Sequence, residues 1–322
     1  MSALPKARGP LSTAVFEALR GLPQEDAPAL DLAAESPEDS AITLWALYEL
    51  SYRGFDDVDD AAEWHPSLLA LRYRLETDLE ATLRGRWTGT PEAYVGATGD
   101  TFAQSLFDYI AGHDGPSLAR YVHTEADREQ VLDLLRVRSI YHLKEADSTA
   151  WVVPRLGVVP KAALMELQFD EYGDGDPNRL HAHLFARGME ASGLRPEYGA
   201  YVDEAPTEIL EQNNAMSLFG LHRRLRGAAL GHLAAFEATS SLPSRRMAQG
   251  LQRLGFPDEM VGYYAEHVEA DAVHEQLAVR TICGSLIDEE PQVADDVWFG
   301  AFTCLDLENR TARRVLDGWG AA

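Results

Sequence analysis

Prolines 66, 206, 257 and 291 each stand at the head of a long segment rich in Ala, Leu, Glu and Arg, while strand-like alternation of apolar and polar residues is scarce. Proline is tolerated in the first turn of a helix, where its missing N–H would have no partner anyway, and it interrupts a sheet ladder. The pattern therefore predicts an all-α fold. Helices are expected over 37–53, opened by Ser36 with Asp39 three residues on, and over 66–84, ending at Gly85. Others are expected over 125–146 behind Thr124, from 206 to about 241, from 257 to about 283, and from 291 onward. The stretch TAWVVPRLGVVPKAAL is the exception: prolines 154 and 160 interrupt its apolar run, so it reads as a buried connector holding the one possible extended element.

There is no internal repeat, and the acidic run 56–63 is the longest biased segment. The expected organisation is an N-terminal helical portion, residues 1–115, packed on a core of residues 116–322. Aromatic residues at helical spacing in LWALYELSYRGF are expected to be core or a dimer interface. Lys+Arg 28 against Asp+Glu 52 leaves a formal charge of -24, which repels nucleic acid and anionic lipid alike, so neither is an expected partner. Cys283 and Cys304 make no disulfide framework and no CxxC pair, which suits a reducing cytoplasm. No apolar run is long enough to span a bilayer, and MSALPKARGP does not read as a signal peptide, so a soluble cytoplasmic protein is expected.

Metal-binding chemistry concentrates in EHVEADAVHEQ. His267, Asp271 and His274 stand at i, i+4 and i+7, so at about 100° per residue they share roughly 60° of one helix face. Two imidazoles and a carboxylate suit iron, manganese or zinc, and the mixed nitrogen and oxygen set favours iron with open positions. A solvated polar face would show the same triplet. Upstream, ELQFDEYGDGDPNRLHAHLF places Glu171 at a helix end and His181 in the next helix; straight helix would separate them by about 80°, but the glycine break allows convergence. Glu237 in GHLAAFEATSS lies among Ala, Leu and Phe, where a buried carboxylate needs a cation. Its alternative is a solvent-facing position beside Arg223 or Arg226. The paired Glu-x-x-His motifs of ferritin-like bundles are absent from the sequence, so another helical scaffold is required.

Over residues 125–310, the motifs LKEAD, DEYGDG, LHAHLF, SLFGLHRRLRG, GHLAAFEATSS and EHVEADAVHEQ resemble the heme-oxygenase-like diiron oxidases and oxygenases, a family of iron-containing redox enzymes. The motifs look closest to its N-oxygenating members, which make nitrosourea and 2-nitroimidazole products. The resemblance implies a heme-oxygenase-like helical bundle carrying two non-heme Fe(II) ions and no heme. Glu171, His181, Glu237, His267, Asp271 and His274 would be the ligands, with Glu145 of LKEAD as a seventh, catalytically important carboxylate. Dioxygen would be reduced to a bridging peroxide that oxidises the nitrogen of a small amine to a hydroxylamine, nitroso or nitro group in bacterial specialised metabolism. An external electron donor and a homodimer are implied as well. No cupin segment follows the last helix in this sequence, so rearrangement to an N-nitroso product is not expected.

The alternative outcome at the same iron is C–H abstraction from a small amino acid, giving desaturation, fragmentation or ring closure. A thiol-dependent hydrolase would need Cys283 on the His274 side of its helix, which nine residues of separation do not provide. Heme binding would use one axial histidine and leave the other ligands unexplained. The remaining candidates read as supporting residues. Arg223, Arg224 and Arg226 are expected in ion pairs, His183 off the ligand face, His222 and His232 structural, and Tyr263 and Tyr264 in the core or lining the cavity.

Overall fold

In the computed structural model, residues 3–22 and 32–321 are described, with the side chains of residues 269–272 outside the described set. The fold is all-α, with no strand among the described residues. The N-terminal helices are α1 (Pro10–Gly21), α2 (Pro37–Glu49), α3 (Pro66–Arg86) and α4 (Gly99–Ala111). They are followed by α5 (Leu118–Thr124), α6 (Arg128–His142), the short α7 (Asp147–Ala150), α8 (Val158–Glu171), α9 (His181–Ala191) and α10 (Thr207–Leu221). The chain closes with the long α11 (Arg226–Arg253), α12 (Asp258–Gln276), α13 (Ser285–Glu289) and α14 (Ala294–Gly318), and a π-helical segment (Leu277–Gly284) joins α12 to α13.

Helix starts follow capping chemistry. Ser36 accepts a hydrogen bond from the Asp39 N–H at 3.2 Å, with Pro37 in the first helical position. Asp127 and Gln130 exchange bonds of 2.9 and 3.0 Å at the head of α6. This capping box displaces the expected start at Thr124, whose hydroxyl instead donates back to the Arg120 carbonyl at the end of α5. The helix expected from 206 to 241 is interrupted at His222, which is extended and held by Glu76 at 2.8 Å, and α11 then runs straight through Pro243. Packing against α12 and α14 holds α11 together across the missing hydrogen bond. The connector around prolines 154 and 160 is not extended and is only partly buried: Val153–Arg155 form a 3-10 turn, Pro160 sits buried in the first turn of α8, Val152, Leu156 and Leu164 join the core, and Val158 is 82% exposed.

One continuous apolar core joins α1, α2, α3 and α4 to α8, α10, α11 and α14, and the aromatic stripe contributes Trp45, Tyr48 and Phe55 to it. A second cluster packs α5, α6, α9 and α12 against the ends of α11 and α14. Where α11 crosses α14, a Cβ on Gly231 would overlap the Val297 carbonyl and one on Gly300 the Ala228 carbonyl, so the two backbones touch directly. Near the junction of the N-terminal helices with the rest, Lys144 is buried, ion-paired to Glu49 of α2, and its ammonium lies 4.2 Å from the Tyr52 ring centroid and 5.3 Å from that of Tyr198.

Candidate metal centre

Glu171 is the last residue of α8, and the chain reverses immediately after it. Gly173, Asp174 and Gly175 all have positive φ, 71°, 55° and 81°. At Gly173 a Cβ would lie 2.5 Å from the Leu180 nitrogen, so glycine is required by contact as well as by conformation. The reversal begins α9 at His181 and brings its Nδ1 to 3.1 Å from Glu171 Oε2, the convergence that the glycine break allowed.

The seven-residue spacing on α12 serves two groups of donors. His267 gathers with Glu145 and His181, whereas His274 gathers with Glu171 and Glu237, and within each group the donor atoms lie within 4.8 Å of one another. Glu145 sits in the segment between α6 and α7, with Oε1 3.9 Å from His267 Nε2. Nδ1 of His274 is 3.6 Å from Glu171 Oε1 and 3.6 Å from Glu237 Oε2. Glu171 thus turns one oxygen toward each group. Glu237 is 5% exposed, which removes the solvent-facing alternative beside the arginines. Asp271 lies on the α12 backbone between the two histidines, and its side chain is outside the described residues.

Neighbouring side chains fix the donors' orientation. Asp170 Oδ2 is 2.9 Å from His274 Nε2, which leaves Nδ1 to face the carboxylates. His267 Nδ1 is 2.7 Å from the Tyr263 carbonyl, which leaves Nε2 to face Glu145. The Tyr263 hydroxyl donates to Glu145 Oε2 at 2.8 Å, and the same oxygen is 3.2 Å from His142 Nδ1. Asp170 opens the DEYGDG motif, but nothing in its spacing marks it as a donor partner, and His142 carries no spacing or motif signal.

Burial and mutual charge shape the protonation of the set. Burial pushes the Glu145 carboxyl up to about 7, against the pull of His267, and also raises that of Glu237. Burial would raise Glu171 too, but the surrounding histidines outweigh it and hold its carboxyl below the ordinary range. Burial lowers His267. It opposes the charge on His181 and His274 as well, yet Glu171 and Glu237 respectively prevail and lift each to about 9. His142 is driven down to about 3 by burial and by Arg138, so it is neutral.

The other candidates lie elsewhere. His183 is exposed, His222 binds Glu76, and His232 is buried and lowered to about 4 by that burial. Arg224 pairs with Glu80 and Arg226 with Glu290, as expected of surface and interhelical ion pairs, whereas Arg223 makes no ion pair among the described residues. Cys283 is buried with Sγ 3.4 Å from the Leu230 carbonyl and its thiol raised to about 12 by burial, which makes it a poor nucleophile.

Glu145 Oε1 and His274 Nδ1 are buried with no hydrogen-bond partner, one in each group. A cation held by each group would satisfy both, and the mix of imidazole and carboxylate is a set that iron accepts. No helix of the described residues is long and apolar enough to cross a membrane. No curated protein matches the chain. The family model described as iron-containing redox enzyme matches residues 132–309, more than half of the chain and a span that includes every donor in both groups. The chain belongs to the iron-containing redox enzyme family.

Proposed function

We propose that this protein is a non-heme diiron oxygenase that inserts oxygen from dioxygen into the nitrogen of a small amine. The observation that carries the reading is Glu171, which turns Oε2 to His181 and Oε1 toward His274 and so stands between the two donor groups as a bridging carboxylate would. One ion would be held by Glu145, His181 and His267, the other by Glu171, Glu237 and His274. With Asp271 the set supplies four carboxylates, enough to neutralise two divalent cations in a buried pocket.

Bound iron would supply the redox equivalents and the open positions at which dioxygen is activated. The side chains have their own tasks. Burial keeps water from the donor groups, Asp170 and the Tyr263 carbonyl hold the histidines with one nitrogen free, and the Tyr263 hydroxyl holds a proton at Glu145 Oε2. The overall change balances as a primary amine, dioxygen, two electrons and two protons giving a hydroxylamine and water, with the electrons coming from an external donor. Further rounds would give nitroso and nitro products.

The test is anaerobic Fe(II) titration of wild type and Glu171→Ala, followed by isotope-labelled dioxygen and a panel of amines with mass spectrometry. The reading expects two irons per wild-type chain, fewer in the variant, and labelled oxygen on nitrogen. A single iron of unchanged affinity in the variant would overturn the dinuclear assignment. Desaturated or cyclised amino acids without label would replace nitrogen oxidation by C–H abstraction.

A further inference from the structure

Beside the metal centre lies a second, larger space that the donor groups do not use. It is a cavity of about 360 Å³ enclosed by α5, α6, α11 and α14, with Gly115 at its exposed rim. Only a narrow partition separates it from the metal ligands. Phe236, the residue before Glu237, lines this cavity and also the pocket of about 20 Å³ bounded by Glu145, Glu171, Glu237 and His267. Its ring packs against Tyr141 at 5.1 Å between centroids, and His142, bonded to Glu145, completes the partition.

Several wall groups offer lone pairs, beside the donors left on Ser117, Arg138, Ser244 and Tyr264. Thr239 and Ser240 line the cavity, but their hydroxyl protons are given to the carbonyls of Ala235 and Glu237, at 2.7 and 3.0 Å, so each offers lone pairs. Pro243, also on the wall, has no N–H for the Thr239 carbonyl one turn earlier, which leaves that acceptor without its helical donor. On the facing helix the Asn309 amide nitrogen is 2.6 Å from His113 Nε2, so its oxygen is the atom left to accept. Glu308 is held as a carboxylate by Arg138 through bonds of 2.8 and 2.7 Å, and 28% of its side chain is accessible at the cavity. Arg138 spends two N–H groups on that pair. The rest of the lining, including Leu134, Met247 and Leu305, is apolar.

We infer that this cavity is the substrate chamber, that it takes a compact molecule with an apolar body and N–H donors, and that Phe236 is the specificity-determining partition between it and the metals. The inference rests on the diiron reading for what happens to the bound molecule, but the chamber's preference is a property of its own walls. With the Glu308 carboxylate and the lone pairs of Thr239, Ser240 and Asn309 on its walls, the pocket favours an N–H-bearing ligand over a carboxylate of the same shape.

The experiment is isothermal titration of the full-length protein, both metal-free and after Fe(II) loading under anaerobic conditions, with phenethylamine and with 3-phenylpropionate as probes of matched size. Phenethylamine is expected to bind about tenfold or more tighter than 3-phenylpropionate, the worth of one or two charge-assisted hydrogen bonds. Ala312→Phe, which fills the chamber from α14, and Asn309→Leu, which removes an acceptor near the rim, should each weaken phenethylamine by a similar factor while leaving iron stoichiometry at the wild-type value. Phe236→Leu should preserve phenethylamine binding and admit bulkier amines. Equal binding of the two probes, or phenethylamine binding indifferent to both Ala312→Phe and Asn309→Leu, overturns the chamber. Loss of iron binding with chamber binding intact would sink the diiron reading and leave this one standing.

Discussion

Asp170→Ala is the sharpest probe of how the metal centre is built. Asp170 touches no metal donor except His274, whose Nε2 it engages at 2.9 Å, and this contact leaves Nδ1 facing Glu171 and Glu237. Partners of this kind are worth about 10- to 100-fold in metal affinity, or about 1.4 to 2.8 kcal/mol. The Asp170 side chain is 34% exposed, so water can replace part of the bond and the lower end, about tenfold, is expected. The other donor group draws on the Tyr263 carbonyl instead and should be untouched. Competitive titration of Fe(II) or Co(II) against a chromophoric chelator should therefore show one equivalent weakened and the other at wild-type affinity. Asp170→Asn, whose amide oxygen still accepts from Nε2–H, should fall between. Two unchanged equivalents, or two weakened alike, would refute the assignment of separate donor groups on α12.

Gly231→Ala should destabilise the protein by about 3 kcal/mol or more, since its Cβ meets backbone and has no flexible side chain to displace, and thermal unfolding would show it. Arg138→Met should cost about 1–3 kcal/mol by leaving the part-exposed Glu308 carboxylate only Gln212 and water as partners, read by chemical denaturation. The same pair predicts a pH dependence. Burial opposes the Glu308 charge, but Arg138 outweighs it and lowers the carboxyl from 4.5 to about 2, so its stabilisation is complete above about pH 4.5 and is lost as pH falls toward 2. Arg138→Met should lack that limb of the acid-unfolding curve. Tyr263→Phe removes the hydrogen bond to Glu145 Oε2 and should weaken the metal held by Glu145, His181 and His267 by a fewfold, measured in the same chelator titration.

The all-α fold was legible because proline and capping residues punctuate the chain at the same points where helices begin, as Ser36 and Pro37 do. Boundaries failed where local rules competed with each other or with packing. Asp127 outbid Thr124 as a cap, and α11 runs through Pro243 because both its faces are held by neighbouring helices. The connector near Pro160 misled because an apolar run usually signals burial, whereas Val158 and Val159 stand exposed at a helix start. The candidate donors that gather here could be named from spacing and resemblance, but their division into two groups could not be read that way. That division depends on where the 173–175 reversal delivers His181 and on how far His267 and His274 lie apart along α12. Asp170 stands in the DEYGDG motif, but its role beside His274 appears only when α12 brings that histidine to it.

The buried Lys144 ammonium has a consequence for how far the metal centre can be transplanted. It stands one residue before Glu145, and its counter-charge and part of its aromatic cage, Glu49, Trp45 and Tyr52, come from α2 and the turn after it. Those residues precede the 132–309 span that the family shares. A shortened chain beginning at 116 would leave an uncompensated cation next to a candidate metal donor and an open seam along the apolar core. The span that the family model matches is thus not by itself a module for grafting: moving this site into another scaffold requires α2 to travel with it.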